Sequence, residues 1–166
     1  MIVPPLLKIL RSHHISTTLR TSSISLLAEC ESTNSLAMVP YLADLANAMV
    51  DLLQLETVPA NPRSTPPTSD VDDQTSTMDS EPTSSNSKFP PLRRAALHLL
   101  ALVIRETTKQ IYDSSFGQSL FSDGLMTRAK ATLSYISSVD QDNVVRVMAR
   151  EVDEALKQMQ RAIIGL

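Results

Sequence analysis

Few residues in this chain have the type and spacing that chemistry demands. The histidines are His13 and His14, adjacent near the start, and His98, set inside a largely apolar stretch. A metal centre needs several donors converging at short, regular spacing. Neither His13 nor His14 has a Cys or carboxylate at that spacing, so they read as surface histidines, and His98 reads as a surface or inter-helix residue. The single Cys30 lies between Glu29 and Glu31. A thiol becomes a nucleophile when a cation or a helix N-terminus lowers its pKa, and Cys30 has neither, so it reads as a structural thiol. One Cys forms no intramolecular disulfide and suits a reducing compartment. Glycine-rich phosphate loops, G-x-S-x-G, H-E-x-x-H and C-x-x-C are all missing from the sequence. No catalytic, metal or cofactor residue is therefore assigned. The chain reads as a non-enzyme that needs no cofactor, with a small α-helical enzyme as the weakest alternative.

Modification is the one chemistry that the sequence invites. Residues 57–88 hold Pro59, Pro62, Pro66, Pro67 and Pro82, thirteen Ser or Thr and no aromatic residue. Asp70, Asp72, Asp73, Asp79 and Glu81 face only Arg63 and Lys88 within it. Such a segment is too polar to bury a core and is expected to be a disordered acidic linker. Ser69 and Ser76 each have an acidic residue three positions on, and Thr65 precedes Pro66, so these are the candidate phosphorylation sites. A neutral tether is the alternative reading of the same composition.

The most informative feature is a repeated pattern. Leu19-Arg20-Thr21-Ser22-Ser23-Ile24-Ser25-Leu26-Leu27-Ala28 returns as Leu92-Arg93-Arg94-Ala95-Ala96-Leu97-His98-Leu99-Leu100-Ala101, and a degraded third copy begins Asp142-Asn143-Val144-Val145-Arg146-Val147-Met148-Ala149, then drifts into charge at Asp153 and Glu154. Arg20 and Arg93 stand 73 residues apart, and Arg93 and Arg146 53 apart. Both spacings exceed the period of a helical-pair repeat. Removing the 32 residues of 57–88 from the first leaves 41, inside the roughly 40 to 47 of HEAT and armadillo units. Each motif helix then reads as the second of a pair, with the insertion between the two helices of one pair. The small residues allow close helix approach, and the arginines are expected to reach the neighbouring inter-helix turn in a structural role.

Five helices must carry these motifs. The first runs from Ser16 or Thr17 to Glu31 with Leu19, Ser23, Leu26, Leu27 and Cys30 inward, and the second from Met38 or Pro40 to Leu55. The third runs from Pro90 to about Tyr112 with Leu92, Ala96, Leu99, Val103 and Ile104 inward, and is apolar almost all round, so it should be the most buried. The fourth covers Gln118 to Ile136, and the fifth Asp142 to Ile163 with Asp142 as N-cap. The domain plan is an irregular segment over 1–15, first helices over 16–56, the linker over 57–88, and further helices over 89–166. Residues 1–10, interrupted by Pro4 and Pro5, read as the tail of an upstream helix or loop. The first motif helix is thereby an orphan whose apolar end should be raw, as in the C-terminal piece of a longer solenoid.

Composition agrees with helix-on-helix packing. Of 166 residues 42% are hydrophobic but only 4% aromatic, with no Trp and three Gly. The net charge of −3 gives no electrostatic case for nucleic acid. No run of about 18 to 20 consecutive apolar residues suggests a membrane span, and the start lacks the basic leader of a signal peptide. The expected fold is all-α, a HEAT/armadillo-like α-solenoid fragment acting as a protein-binding surface.

The stretch from Thr18 to Glu29, the Leu92–Leu100 string, and the closing Ala149-Arg150-Glu151-Val152-Asp153-Glu154-Ala155-Leu156 resemble, in that order, the extreme C-terminus of the RNA polymerase II assembly and nuclear-import factor family, whose animal members are described as transport and Golgi organisation proteins. The resemblance covers about Ser16 to Ile163 outside the linker. It implies a cytoplasmic scaffold that shuttles to the nucleus and binds RNA polymerase II subunits, co-chaperones or nuclear-pore components. A secretory-pathway trafficking scaffold is the alternative that the animal family name suggests. The resemblance implies no catalytic residue, and the insertion at 57–88 is longer than the family pattern.

Overall fold

The computed structural model describes residues 3–12, 14–57, 89–113 and 121–165. Every regular element among them is helical. The helices are α1 (Val3–Arg11), α2 (Thr17–Thr33), the single turn α3 (Ser35–Met38), α4 (Leu42–Thr57), α5 (Pro90–Asp113), α6 (Asp123–Val139) and α7 (Asn143–Ile164), with a 3-10 turn over Val39–Tyr41 between α3 and α4. The chain is all-α over the described residues.

Local chemistry fixes the boundaries. The Ser16 hydroxyl accepts a hydrogen bond from the Leu19 amide at 3.3 Å, Ser122 accepts from Leu125 at 3.2 Å, and Asp142 accepts from Val145 at 2.9 Å. Each side chain satisfies one of the amides that a helix start leaves without an intrahelical carbonyl. The Asn34 amide donates to the Cys30 carbonyl and closes α2, while its side chain accepts from Ala37 and opens α3.

The helices fall into two rows by their main packing partners. In one row α5 packs between α2 and α7, and in the other α4 packs between α1 and α6. Across the rows α1 packs on α2, α4 on α5, and α6 on α7, so each of these helices touches both a sequence neighbour and a helix of its own row. The core runs along the seam. Ile24, Leu27, Leu45, Met49, Leu53, Leu92, Leu97, Leu99, Leu100 and Ile104 are fully buried in it. As expected from its apolar circumference, α5 touches α2, α4 and α7 and is the central element. Small residues mark the closest approaches: Ser23, Ala96 and Ala149, which share one motif position, are all buried.

Three expectations require correction. Residues Val3–Arg11, read as an irregular segment, form α1, which buries Val3, Leu7 and Leu10 against α2 and α4. Pro4 and Pro5 lie in its first turn, where a proline forfeits no intrahelical hydrogen bond. The inward face of α2 is rotated. Ser23, Ile24, Leu27, Ala28 and Glu31 are buried, whereas Leu19 and Leu26 are 49% and 46% exposed. The fourth helix starts at Asp123, not Gln118, with Phe121 buried just ahead of it. The expected disordered linker over 57–88 lies outside the described residues except for Thr57, the last residue of α4. One further observation concerns α3 through α4. Ser35–Thr57 is 23 residues long and apolar enough to cross a membrane by length and composition, and half of its most apolar window is buried inside the fold. Pro40 and the 3-10 turn interrupt its helix.

Candidate functional site: the arginine edge

The motif arginines converge on one edge, where the first helix of each pair ends and the second begins. Arg93, in the first turn of α5, reaches across to Asp140, the residue that caps the C-terminus of α6. Its Nη2 donates to Asp140 Oδ1 at 3.0 Å, and its Nε lies 2.8 Å from Oδ2. The two side chains are only 5% and 4% exposed. Asp140 Oδ1 also accepts from the Asp142 amide at 2.9 Å, so the carboxylate braces the turn as well as the helix across from it. Burying an ion pair is costly unless its geometry is good and its remaining polar atoms are bonded. Here Asp140 is served by Arg93 Nη2 and by a backbone amide, while Arg93 Nε and Nη1 are buried without a hydrogen-bond partner, so the pair is only partly compensated.

A second link runs beside it. Arg94 Nη2 donates to Asp142 Oδ2 at 2.5 Å, while Asp142 Oδ1 holds the Val145 amide. The backbone bond from Val145, followed by the hydrogen bond from Arg94, keeps the Asp142 carboxyl below the usual carboxylate range. Arg20 of α2 repeats the theme more loosely, with Nη2 3.6 Å from Oε1 of Glu56 near the end of α4. Thus Arg20 engages the end of α4, and Arg93 the end of α6. In each case an arginine from the second helix of one pair binds an acid at the end of the first helix of the next. Arg146, the third motif arginine, is half-buried and bonds within its own helix turn to Asn143 Oδ1.

The remaining motif residues are mostly packing residues. Leu27, Leu92, Leu99, Leu100, Val145 and Ala149 are buried, and Leu19 and Leu26 are exposed. On the opposite row Arg128 of α6 bonds Asp51 and Gln54 of α4, and Gln54 bonds Thr132 at 3.1 Å, which ties α4 to α6. His14 and His98 are exposed and Cys30 is half-buried. His13, Thr65, Ser69 and Ser76 lie outside the described residues. Among the described residues no group of three or more His, Cys, Asp or Glu is placed to hold a metal ion.

One pair of acids was not foreseen. Glu31 in the last turn of α2 is 4% exposed, and its Oε2 has no hydrogen-bond partner. Burial, and then the charge of the nearby Glu106 on α5, push its carboxyl up to about 7, partly opposed by Arg105 and Lys109. Glu106 is itself buried, accepts from Gln110 Nε2 at 2.8 Å, and has Lys109 Nζ 3.8 Å away. In sequence Glu31 looks like one more charged residue at a helix end. Only the packing of α2 on α5 makes it a buried acid.

No protein-family model, no curated protein and no solved structure matches this chain.

Proposed function

We propose that this chain is a non-catalytic scaffold, a short HEAT/armadillo-like α-solenoid whose surface binds other proteins. The observation that carries the reading is the repeated link along the arginine edge, Arg20 to Glu56 and Arg93 to Asp140, each joining one helical pair to the next. Stacked pairs bury their apolar faces on their neighbours and leave extended outer surfaces for partners. The structural use of the motif arginines also accounts for conspicuous charged residues without assigning them to a ligand.

Following the resemblance of the motif helices, the partners proposed are RNA polymerase II subunits, co-chaperones or nuclear-pore components, met during assembly and import of the polymerase by a cytoplasmic protein that shuttles to the nucleus. In this reading Ser35–Thr57 is a core element of the scaffold, since its buried residues Met38, Leu42, Leu45, Met49 and Leu53 pack within the fold.

The test is affinity purification of the full-length protein from its own cells, with the co-purifying proteins identified and counted. Polymerase subunits and co-chaperones are the expected result. Coat or Golgi proteins in their place would overturn the assembly role while leaving the scaffold.

A further inference from the structure

The end of α2 is held to the fold by a single acid. Ala28 and Met38 are buried, and between them Glu31 is the one buried residue, with Cys30 and Ser35 half-buried and the rest exposed. An aliphatic side chain at that place would pin the segment to α5 under any condition. A carboxyl pins it only while neutral, because a buried charge without a partner is among the costliest groups in a fold.

The groups around Glu31 favour the neutral form. Its Oε2 has no hydrogen-bond partner. From α5 it meets the charges of Glu106, Arg105 and Lys109. Glu106 already holds Gln110 Nε2 at 2.8 Å and has Lys109 Nζ 3.8 Å away, so of the two acids Glu31 is the one left without a donor. Arg105 and Lys109 are exposed, and water screens what they offer. The other helices packed on α2 add little. In α3 there is no ionisable group, and in α1 there are only Lys8 and Arg11, both exposed in its last turn. Within α2 the exposed Glu29 brings a further negative charge, and the last turn has no basic residue to offset the helix carbonyls, which disfavour a carboxylate there.

We infer that Glu31 is a proton-operated latch at the seam of α2 and α5: the neutral acid keeps the end of α2 docked, and loss of its proton promotes opening of residues 29–37 between the anchors Ala28 and Met38. The anchors stay in place because Ile24, Leu27 and Ala28 upstream and Met38 downstream keep their own apolar contacts. What opens is therefore one helical turn and the α3 turn after it, with the half-buried Cys30 uncovered beside Glu31.

The direction and size follow from linkage. The docked carboxyl is pushed up to about 7 against an ordinary 4.5, so the docked form holds the proton more tightly and opening grows as pH rises. It should grow about tenfold per pH unit between these values and level off about 300-fold above its acid limit. The open form is a minor state throughout, so the assay must read rare openings, which amide exchange does.

Hydrogen exchange is followed residue by residue on the full chain from pH 5 to 8, with rates expressed as protection factors to cancel the base catalysis of exchange itself. The amides of residues 31–34, among them Asn34, which donates to the Cys30 carbonyl at 2.9 Å, should lose protection along that curve. Glu31→Gln should make them flat with pH, and Glu106→Gln should move the rise to lower pH. Small additions of urea separate the latch from global unfolding: they should leave residues 31–34 unchanged while lowering the protection of Leu100 in α5. A second reading uses Cys30, the one cysteine of the chain. Its rate with an uncharged disulfide reagent, divided at each pH by the rate in the urea-unfolded chain, should rise along the same curve and be flat in Glu31→Gln. Protection at 31–34 that ignores pH, or that responds to urea as Leu100 does, would overturn the latch. A Cys30 rate ratio unaffected by Glu31→Gln would do the same. The latch needs no partner, so none of these results bears on what the scaffold binds.

Discussion

Replacing Glu31 by Gln should stabilise the protein, and only above a defined pH. The carboxyl sits at about 7 in the folded chain against an ordinary 4.5 when unfolded, and each pKa unit is worth about 1.4 kcal/mol at 25 °C. Its folded pKa is the higher one, so the native state holds this proton more tightly. Below pH 4.5 both states are protonated and the full stability is present. Between 4.5 and 7 the unfolded chain releases the proton while the folded chain keeps it, so stability falls. Above 7 the loss is complete, on the order of 3 kcal/mol. Glutamine keeps the shape and carries no charge at any pH. The measurement is urea unfolding followed by helical circular dichroism from pH 4 to 8.5, with the parent and E31Q extrapolated to water. Subtracting the two cancels the other titrating groups. The variant should match the parent near pH 4 and gain on the order of 3 kcal/mol by pH 8, with an unchanged denaturant slope. E29Q, two residues away and exposed, serves as the control and should show no such divergence. Removing Glu106 should move the window to lower pH, because its charge is the second cause of the shift. A difference that stays flat with pH, or shrinks as pH rises, would mean that Glu31 is not buried against Glu106.

Three further predictions use the same unfolding assay. Leu99 and Leu26 hold the same motif position, one buried and one 46% exposed, so L99A should cost about 2 to 5 kcal/mol and L26A under about 1. D140N leaves Arg93 buried without its counter-charge and should cost about 3 to 5 kcal/mol. D51N, which breaks the exposed link to Arg128, should cost less than about 1. A96L places a large side chain where α5 meets its neighbours and should destabilise by about 1 to 3 kcal/mol. Equal losses for L99A and L26A would refute the rotated face of α2.

The existence of α2, α4, α5, α6 and α7 was legible because it rests on local signals, whereas α1, with Pro4 and Pro5 in its first turn, was not. The Ser16 and Asp142 caps and the prolines opening α5 act within one turn of chain, and their pattern is complete in the sequence. Which face turns inward is decided by neighbours, and there α2 misled. Its most apolar stripe includes Leu19 and Leu26, but the stripe actually buried contains Ser23 and Glu31. Ser23 fits because its hydroxyl donates to the Leu19 carbonyl at 2.8 Å and because a small side chain permits close contact. Glu31 fits because protonation relieves its burial. Neither condition is visible in hydrophobic periodicity. Recurrence singled out the arginines, and Arg20 and Arg93 do pair across helices, but among the described residues Arg146 bonds only within its own turn, to Asn143. The partners Glu56 and Asp140 were not legible, since nothing local distinguishes them from other surface acids before the pairs are stacked.

The arginine edge also explains how the fold accommodates a long insertion. Asp140, Gln141 and Asp142 alone join α6 to α7, whereas 32 residues, Val58 to Phe89, separate α4 from α5 at the corresponding position. Closing a loop roughly ten times longer costs only about 2 kcal/mol, because closure entropy grows with the logarithm of length. One fully buried aliphatic side chain contributes about 1.5 to 3 kcal/mol, and α4 alone buries Leu42, Leu45, Met49, Val50, Leu52 and Leu53. The seam between α4 and α5 therefore holds the pair together whatever the length of its connection. The short connection has a different task. Asp140 accepts from both Arg93 and the Asp142 amide, and Asp142 both caps α7 and binds Arg94, so lengthening that turn would disconnect four contacts that depend on its register. Insertion at 58–88 leaves Glu56 in α4, on the helical side of the break, and Arg20 keeps its acid. The position that tolerates growth is the one whose pairing residue lies within the helix, and the position that does not is the one whose pairing residue is the turn itself.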